Sequence, residues 1–303
     1  MEHVRWLAEP TLRTPTVIYA FTGWNDAGDA ASSALRTMVE RWGAQAVAEI
    51  DPEPFTDFAT VRPHVRINDG QRSIVWPTVG IWSASLPGGD VLLVLGPEPA
   101  LRWRLFCDQL VGVAERYGSA MTISLGALLA DVPHTRPVQI IGTASEPELI
   151  ERFQLQRSRY EGPTGIVGVL HDELARSGVA TASLWAAVPG YAAQVPSAKA
   201  ALALIERACA LLGTPAPSEA LSMAAGEYDV RIAALIADDQ ELVDYVARLE
   251  SMVDDDESPF FVAGGDDDDT ATATADDDAP PLDAGGADEL VAEVERFLRD
   301  RDG

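Results

Sequence analysis

The first two-thirds of the chain alternates between short apolar runs and amphipathic stretches. TVIYAF (16–21) is an unbroken apolar run of strand length and predicts a buried strand. A small-residue helix is expected from about Asp29 to Trp42, then a strand in AQAVAEI (44–50). HVRIND (64–69) and QRSIVWP (71–77) meet at Asp-Gly, the signal of a hairpin, and VGIWSAS (79–85) is expected to extend that ribbon. DVLLVLG (90–96) is apolar without alternation, as a strand covered on both faces is, and is the expected central parallel strand. A helix over 101–117, strands in AMTISLG (120–126) and VQIIGTA (138–144), a helix near 165–176, the strand TASLWAAVP (181–189) and a helix over 197–213 complete the pattern. Repeated strand–helix alternation predicts an α/β body over residues 1–213, a three-layer sandwich with a mixed β-sheet.

After Gly213, Thr-Pro-Ala-Pro breaks the chain, and one long helix is expected from about Ser218 to Met252, a helical extension over 214–253. Leu221, Tyr228, Leu235, Leu242 and Leu249 recur every seven residues, with Ala225, Ile232 and Val246 four residues further on, and Asp239 interrupts the seam. Such a face fits packing on the body or a self-associating coiled coil. Residues 254–286 form an acidic, low-complexity tract with the composition of a disordered linker. Periodicity then returns over 287–303, where Leu290, Val291, Val294, Phe297 and Leu298 share one face of a C-terminal amphipathic helix expected to dock.

Charge matters only once it is placed. Residues 1–212 carry 22 acidic and 17 basic residues, giving -5, whereas 213–303 carry 26 and 5, giving -21. The acidity is concentrated in the C-terminal part, and it disfavours nucleic acid and anionic membranes as partners. The apolar runs are far shorter than a membrane span, and MEHVRWLAEP has no basic stretch leading into an apolar one. Cys107 and Cys209 lie in apolar helical contexts and read as buried thiols. A cytoplasmic protein is expected.

Recognised catalytic signatures are absent: there is no GxxxxGK[ST], GxSxG, HExxH or CxxC. The stretch GWNDAGDAASSALRTM has the look of a phosphate loop, but Gly23 and Gly28 lie five apart and do not make GxGxxG. Asp26 and Asp29 stand where an anion would be repelled, with Asp29 expected as the N-cap or first-turn acid. Gly23, Trp24, Asn25, Asp26 and Gly28 therefore read as a turn made for packing or for an interface. The loop LGALLADVPHTRP is expected at a strand end, where α/β sheets hold ligands. Ser124, Asp131, His134, Thr135, Arg136 and Thr164 are the candidate lining of a ligand crevice. Thr164, Gly165 and Ser197 are candidate helix caps. Asp131 with His134 and His171 with Asp172 are only local pairs, so no metal site, cofactor or catalytic residue is expected.

Four stretches, in order, carry a resemblance: GWNDAGDAA, SLGALLADVPHTRPVQIIGTA, YEGPTGIVGVLHD and SLWAAVPGYAAQVPSAKAAL. Together they resemble the PAC2 family, named for proteasome assembly chaperone 2, in its actinobacterial form. The likeness is strong over 16–213 and looser over the long helix and VERFLRD. It implies a phosphorylase/hydrolase-like α/β fold in a homo-oligomer. It also implies kinship with proteins that help assemble proteasome core particles, so self and proteasome-related proteins are the candidate partners. It carries no catalytic residue across. The chain departs from the family where a histidine is expected at Gly190, and its last residues, RDRDG, lack the hydrophobic–Tyr–any tail of the chaperone relatives. The function expected is a non-enzymatic, assembly-chaperone-like interaction protein. The alternative is a protein that binds or turns over a nucleoside or phosphate ester, with Ser124, Thr135, Arg136 and Thr164 as the cradle.

Overall fold

The computed structural model describes residues 1–254. The expectations for the acidic tract beyond 254 and for the helix carrying Leu290, Val294, Phe297 and Leu298 lie outside the described residues.

The chain begins with β1 (Val4–Trp6), β2 (Thr16–Thr22), α1 (Ala30–Arg41) and β3 (Gln45–Ile50). It continues with β4 (His64–Asn68), β5 (Gln71–Val75), β6 (Val79–Leu86), β7 (Gly89–Pro97) and α2 (Trp103–Arg116). Then come β8 (Met121–Ala130), β9 (Ile140–Ala144), α3 (Pro147–Phe153), α4 (Ile166–Arg176) and β10 (Ala180–Pro189). Three helices follow: α5 (Ala198–Leu212), α6 (Glu219–Ile236) and α7 (Gln240–Asp254).

Eight strands form one sheet in the order β1-β3-β6-β7-β2-β8-β10-β9. The four in the middle, β7, β2, β8 and β10, run parallel, with registers such as Val17 against Leu92 on one side and Thr122 on the other. Antiparallel strands complete both flanks. Side chains of β2 alternate strictly between the faces. Ile18 and Ala20 join Leu35, Met38, Leu204 and Ile205 of α1 and α5 on one face. Tyr19 and Phe21 join Phe106, Leu110, Leu170 and Leu174 of α2 and α4 on the other. The result is a mixed sheet between two helical layers. Ala30, Ala31 and Ala34 are fully buried, and their small side chains let α1 lie close to the sheet.

Several expectations change. β6 does not extend the ribbon: after Trp76 and Pro77 the chain turns, Thr78 N donating to Trp76 O at 2.9 Å, and β6 pairs with β3 and β7. β7 is buried as expected but borders the parallel block, with β2 parallel and β6 antiparallel to it. LGALLA is not loop, because β8 continues to Ala130. The short β1 and α3 were not foreseen. The expected long helix is two, because the Asp239 carboxylate accepts the N–H of Leu242 at 3.1 Å and starts α7 afresh. Tyr228, Ile232, Ile236 and Val246 pack with Ala192 and Val195 of the turn after β10, so this extension lies on the body. Leu235, expected in the seam, is 61% exposed, and Ile236 at 8% takes the inward place, because 3.6 residues per turn drifts off a seven-residue repeat.

Candidate functional site: the carboxyl edge of the parallel strands

Four parallel strands deliver their following loops to a single edge of the sheet. The loop after β2 leads to α1 on one face, and that after β7 leads to α2 on the other. Adjacent strands whose loops depart to opposite faces leave a crevice between them, the usual ligand position in open α/β sheets.

Here the chain fills that crevice itself. Gly23 turns the backbone out of β2 at φ 120°, and Asn25 O accepts the N–H of Ala127 at 2.9 Å, drawing the turn over β8. Asn25 is buried, and its Nδ2 donates to Glu98 Oε1 at 2.8 Å. The same Glu98 oxygen accepts the N–H of Ile166 at 3.0 Å. Gly165, at the N-cap of α4, has no side chain to offer, so Glu98, just past the end of β7, caps this helix from a distant part of the chain. A Cβ on Gly165 would stand 2.3 Å from Asn25 Oδ1, and only glycine lets the amide lie there.

The cap of α1 is likewise not the expected one. Asp29 holds a left-handed backbone, φ 50°, and its side chain makes no cap bond. Asp26 supplies it: Oδ1 accepts from Ala31 N at 2.7 Å and Ser32 N at 3.1 Å. A carboxylate of the chain thus occupies the helix start where a bound anion would sit. Burial pushes the Asp26 pKa up, against the lowering effect of those N–H groups. Gly28, at φ 58°, brings its carbonyl to Ser197 N at 2.7 Å, and Ser197 Oγ caps α5 by accepting from Ala200 N at 3.2 Å, as expected.

A second cluster gathers at the loop after β8. Asp131, His134, Thr135 and Arg136 come together there, and the covering element is α7. Tyr245 OH donates to Asp131 Oδ1 at 2.7 Å, Thr135 Oγ1 bonds Glu250, and Arg136 grips Asp254 through Nε at 2.8 Å and its terminal nitrogen at 2.6 Å. Tyr191 OH accepts the N–H of His134 at 2.7 Å and lies 2.8 Å from its Nδ1. Burial lowers the His134 pKa and so favours the neutral ring. Lys199 bridges the His134 carbonyl and Asp229, the latter at 2.9 and 3.1 Å. Between Pro137, Ser197, Lys199 and Tyr228 remains a cavity of about 20 Å³, the size of one water molecule.

The other two candidates stand elsewhere. Ser124 is inside the sheet, its Oγ 2.7 Å from that of Ser183, which also accepts Trp185 Nε1 at 2.9 Å. Thr164 precedes α4, beside the Asn25–Glu98 junction, and makes no cap bond. The sequence reading missed Glu98, Tyr191, Lys199 and Tyr245. Glu98 carried one faint signal, an acid placed directly after a wholly apolar strand. Among the described residues no cluster of three or more His, Cys, Asp or Glu could hold a metal ion, and no helix is long and apolar enough to cross a membrane.

Among charged and polar groups such as Asp29, Arg102 and Asp131, the edge also shows large apolar side chains to solvent. Three neighbouring strands each contribute one large side chain: Trp24 after β2 is 66% exposed, Leu101 after β7 is 51% exposed, and so is Leu129 near the end of β8. The model of the PAC2 family matches residues 20–236, a span that includes every loop of this edge. The chain belongs to the PAC2 family. A PAC2 family protein from Streptomyces avermitilis is 42% identical, with 77% of this chain and 99% of that one covered and a TM-score of 0.73. A proteasome-assembly chaperone homologue from Mycobacterium tuberculosis is 41% identical, with 76% and 99% covered and a TM-score of 0.69. PbaB, an archaeal proteasome activator from Pyrococcus furiosus, shares the fold at 17% identity, with 77% and 97% covered and a TM-score of 0.64. Among curated proteins none shows significant similarity.

Proposed function

We propose that this PAC2 family member is a non-enzymatic, homo-oligomeric assembly factor that binds subunits of a proteasome-type complex through the carboxyl edge of its sheet. One observation carries the reading: the crevice where an α/β enzyme would take its ligand is filled by Asn25, Glu98 and Asp26, while Trp24, Leu101 and Leu129 project from the same edge. A rim of exposed large apolar groups around a filled crevice suits a protein surface better than a small molecule. The likeness to the mycobacterial proteasome-assembly chaperone homologue supports the choice of partner. Residues 1–213 would be the phosphorylase/hydrolase-like body, on the strength of its parallel block between two helical layers, with 214–253 its helical extension. Buried free thiols at Cys107 and Cys209 are in keeping with a cytoplasmic site of action.

A phosphate-binding reading has less support. Ser124, Thr164 and the loop around Arg136 stand in three places, and Arg136 already pairs with Asp254 and Glu250.

The test is to mix the purified protein with actinobacterial proteasome α and β subunits and follow core-particle formation on native gels. A complex with subunits or an assembly intermediate, or a change in assembly rate, is expected. Neither binding nor any effect on assembly overturns the proposal.

A further inference from the structure

The ribbon of β4 and β5 stands apart from the eight-stranded sheet, and all ten of its strand residues are exposed. Its turn is well made, with Asp69 at φ 50° and Gly70 at φ 77°, the pair of left-handed residues that a tight hairpin takes. The pairing of Val65 with Ile74 and Ile67 with Arg72 puts these four side chains on one face. On that face Ile67 is 71% exposed, Val65 52% and Ile74 42%. A lone two-stranded ribbon is marginal in water, with both edges unpaired, and an apolar face makes it a surface that calls for a cover.

Charge indicates the cover. Arg62, Arg66 and Arg72 against Asp69 make the ribbon segment basic in a chain of net charge -26. None of the three arginines forms an ion pair among the described residues. At the ribbon's root lies an open cleft of about 460 Å³ with Glu2, Glu49, Asp51 and Glu53 on its walls, Arg5 as its one guanidinium, and Trp76 at its side. Arg72, on the apolar face beside the turn, and the acidic cleft at the root therefore lie toward opposite ends of strands of five residues, about 17 Å.

We infer that the β4–β5 ribbon is an interface between two copies of this chain, in which two ribbons lie antiparallel, apolar face on apolar face. Arg72 at the tip of each then sits over the acidic cleft at the root of the other. A two-fold contact makes both halves at once, since what one copy offers the other accepts. The ribbon face rests on the self-association proposed above and names its surface.

The experiment measures mass by sedimentation velocity over a range of concentration, for the wild type and for the Ile67→Asp/Ile74→Asp variant. The wild type is expected to associate, and the variant to raise the dissociation constant at least about tenfold, with unchanged far-UV circular dichroism of the body. Raising salt should weaken the wild-type contact. Because ribbon variants can unfold the ribbon itself, a second measurement leaves its apolar face native. Ser73→Cys, on the opposite face, is spin-labelled while Cys107 and Cys209 stay buried, and dipolar coupling between labels on two copies is expected. A wild type that is monomeric at all concentrations overturns both self-association and the ribbon interface. A wild type that associates, with the variant equally associated or no coupling between labels, overturns the ribbon interface and leaves self-association standing.

Discussion

Replacing Asp26 with alanine removes the side chain that caps α1. Two N–H groups, of Ala31 and Ser32, lose their acceptor at positions that are 0% and 1% exposed. Loss of a cap costs about 0.5–2 kcal/mol. Leaving buried donors unsatisfied costs about 1–3 kcal/mol, and the two figures overlap because they describe the same bonds. Asp26→Ala should therefore destabilise the fold by about 2–3 kcal/mol, a drop in Tm of roughly 5–10 °C for a body of this size. Asp26→Asn keeps an accepting oxygen and carries no charge, so its cost should be well under 1 kcal/mol at neutral pH. The pH dependence separates capping from charge. Burial raises the Asp26 pKa, so the favourable contribution of this group is complete below its unfolded value of about 3.9 and is lost as pH rises through the higher folded value. Asparagine does not titrate, so the margin of wild type over Asp26→Asn should shrink between pH 4 and pH 7. Urea unfolding followed by circular dichroism at several pH values measures both effects. An alanine variant within 0.5 kcal/mol of wild type, or a margin that grows with pH, would refute the reasoning.

Gly165→Ala places a Cβ 2.3 Å from Asn25 Oδ1 and must push the amide off Glu98, at a cost of about 2–4 kcal/mol in urea unfolding. A stability equal to wild type would mean that the junction yields without loss. Burial lowers the His134 pKa, so its contribution is full above the unfolded value of about 6.5 and erodes as pH falls through the folded one. His134→Gln should remove that share of the acid sensitivity, read as a flatter stability curve from pH 7 to pH 5. Trp24→Ala should leave stability within about 0.5 kcal/mol, since the ring is 66% exposed, while weakening subunit binding in the assembly assay. Cys107, its pKa pushed up to about 12 by burial, and Cys209, at about 11, should resist a thiol reagent in native protein and react together on unfolding.

Elements with a strong period were legible in the sequence. The run TVIYAF and the helix after it are set by short-range sterics and burial, and both fall within a residue or two of their expected ends. The Asp-Gly turn of the ribbon needed nothing beyond two residues that tolerate positive φ. What could not be read depends on partners distant in the chain. Glu98 looks like an ordinary loop acid until α4, 68 residues further on, brings Ile166 N to it. Asp29 seemed the better cap because it adjoins the helix, but its left-handed backbone turns the side chain away and leaves the task to Asp26. Arg136 and Thr135 looked like a cradle for phosphate because the return of α7, with Glu250 and Asp254, leaves no local trace. β6 was assigned to the ribbon by proximity in sequence, whereas its pairing follows from the covered face that β3 and β7 offer.

The Asn25–Glu98–Ile166 junction also bears on the order in which the chain acquires its structure. Its two bonds span 73 and 68 residues, so the first must wait for β2 and β7 to be paired and the second for α4 to be placed as well. Contacts of such separation are closed late, after the loop-closing entropy has been met by the strand pairings beneath them. Breaking the junction, as with Glu98→Ala, should therefore hasten unfolding far more than it slows refolding. During synthesis, α1 and its Asp26 cap can form early, while the crevice above β2 and β7 stays open until α4 has emerged. The same side chains that occupy the crevice in the finished protein thus act as its final latch, and they set how long the native state persists.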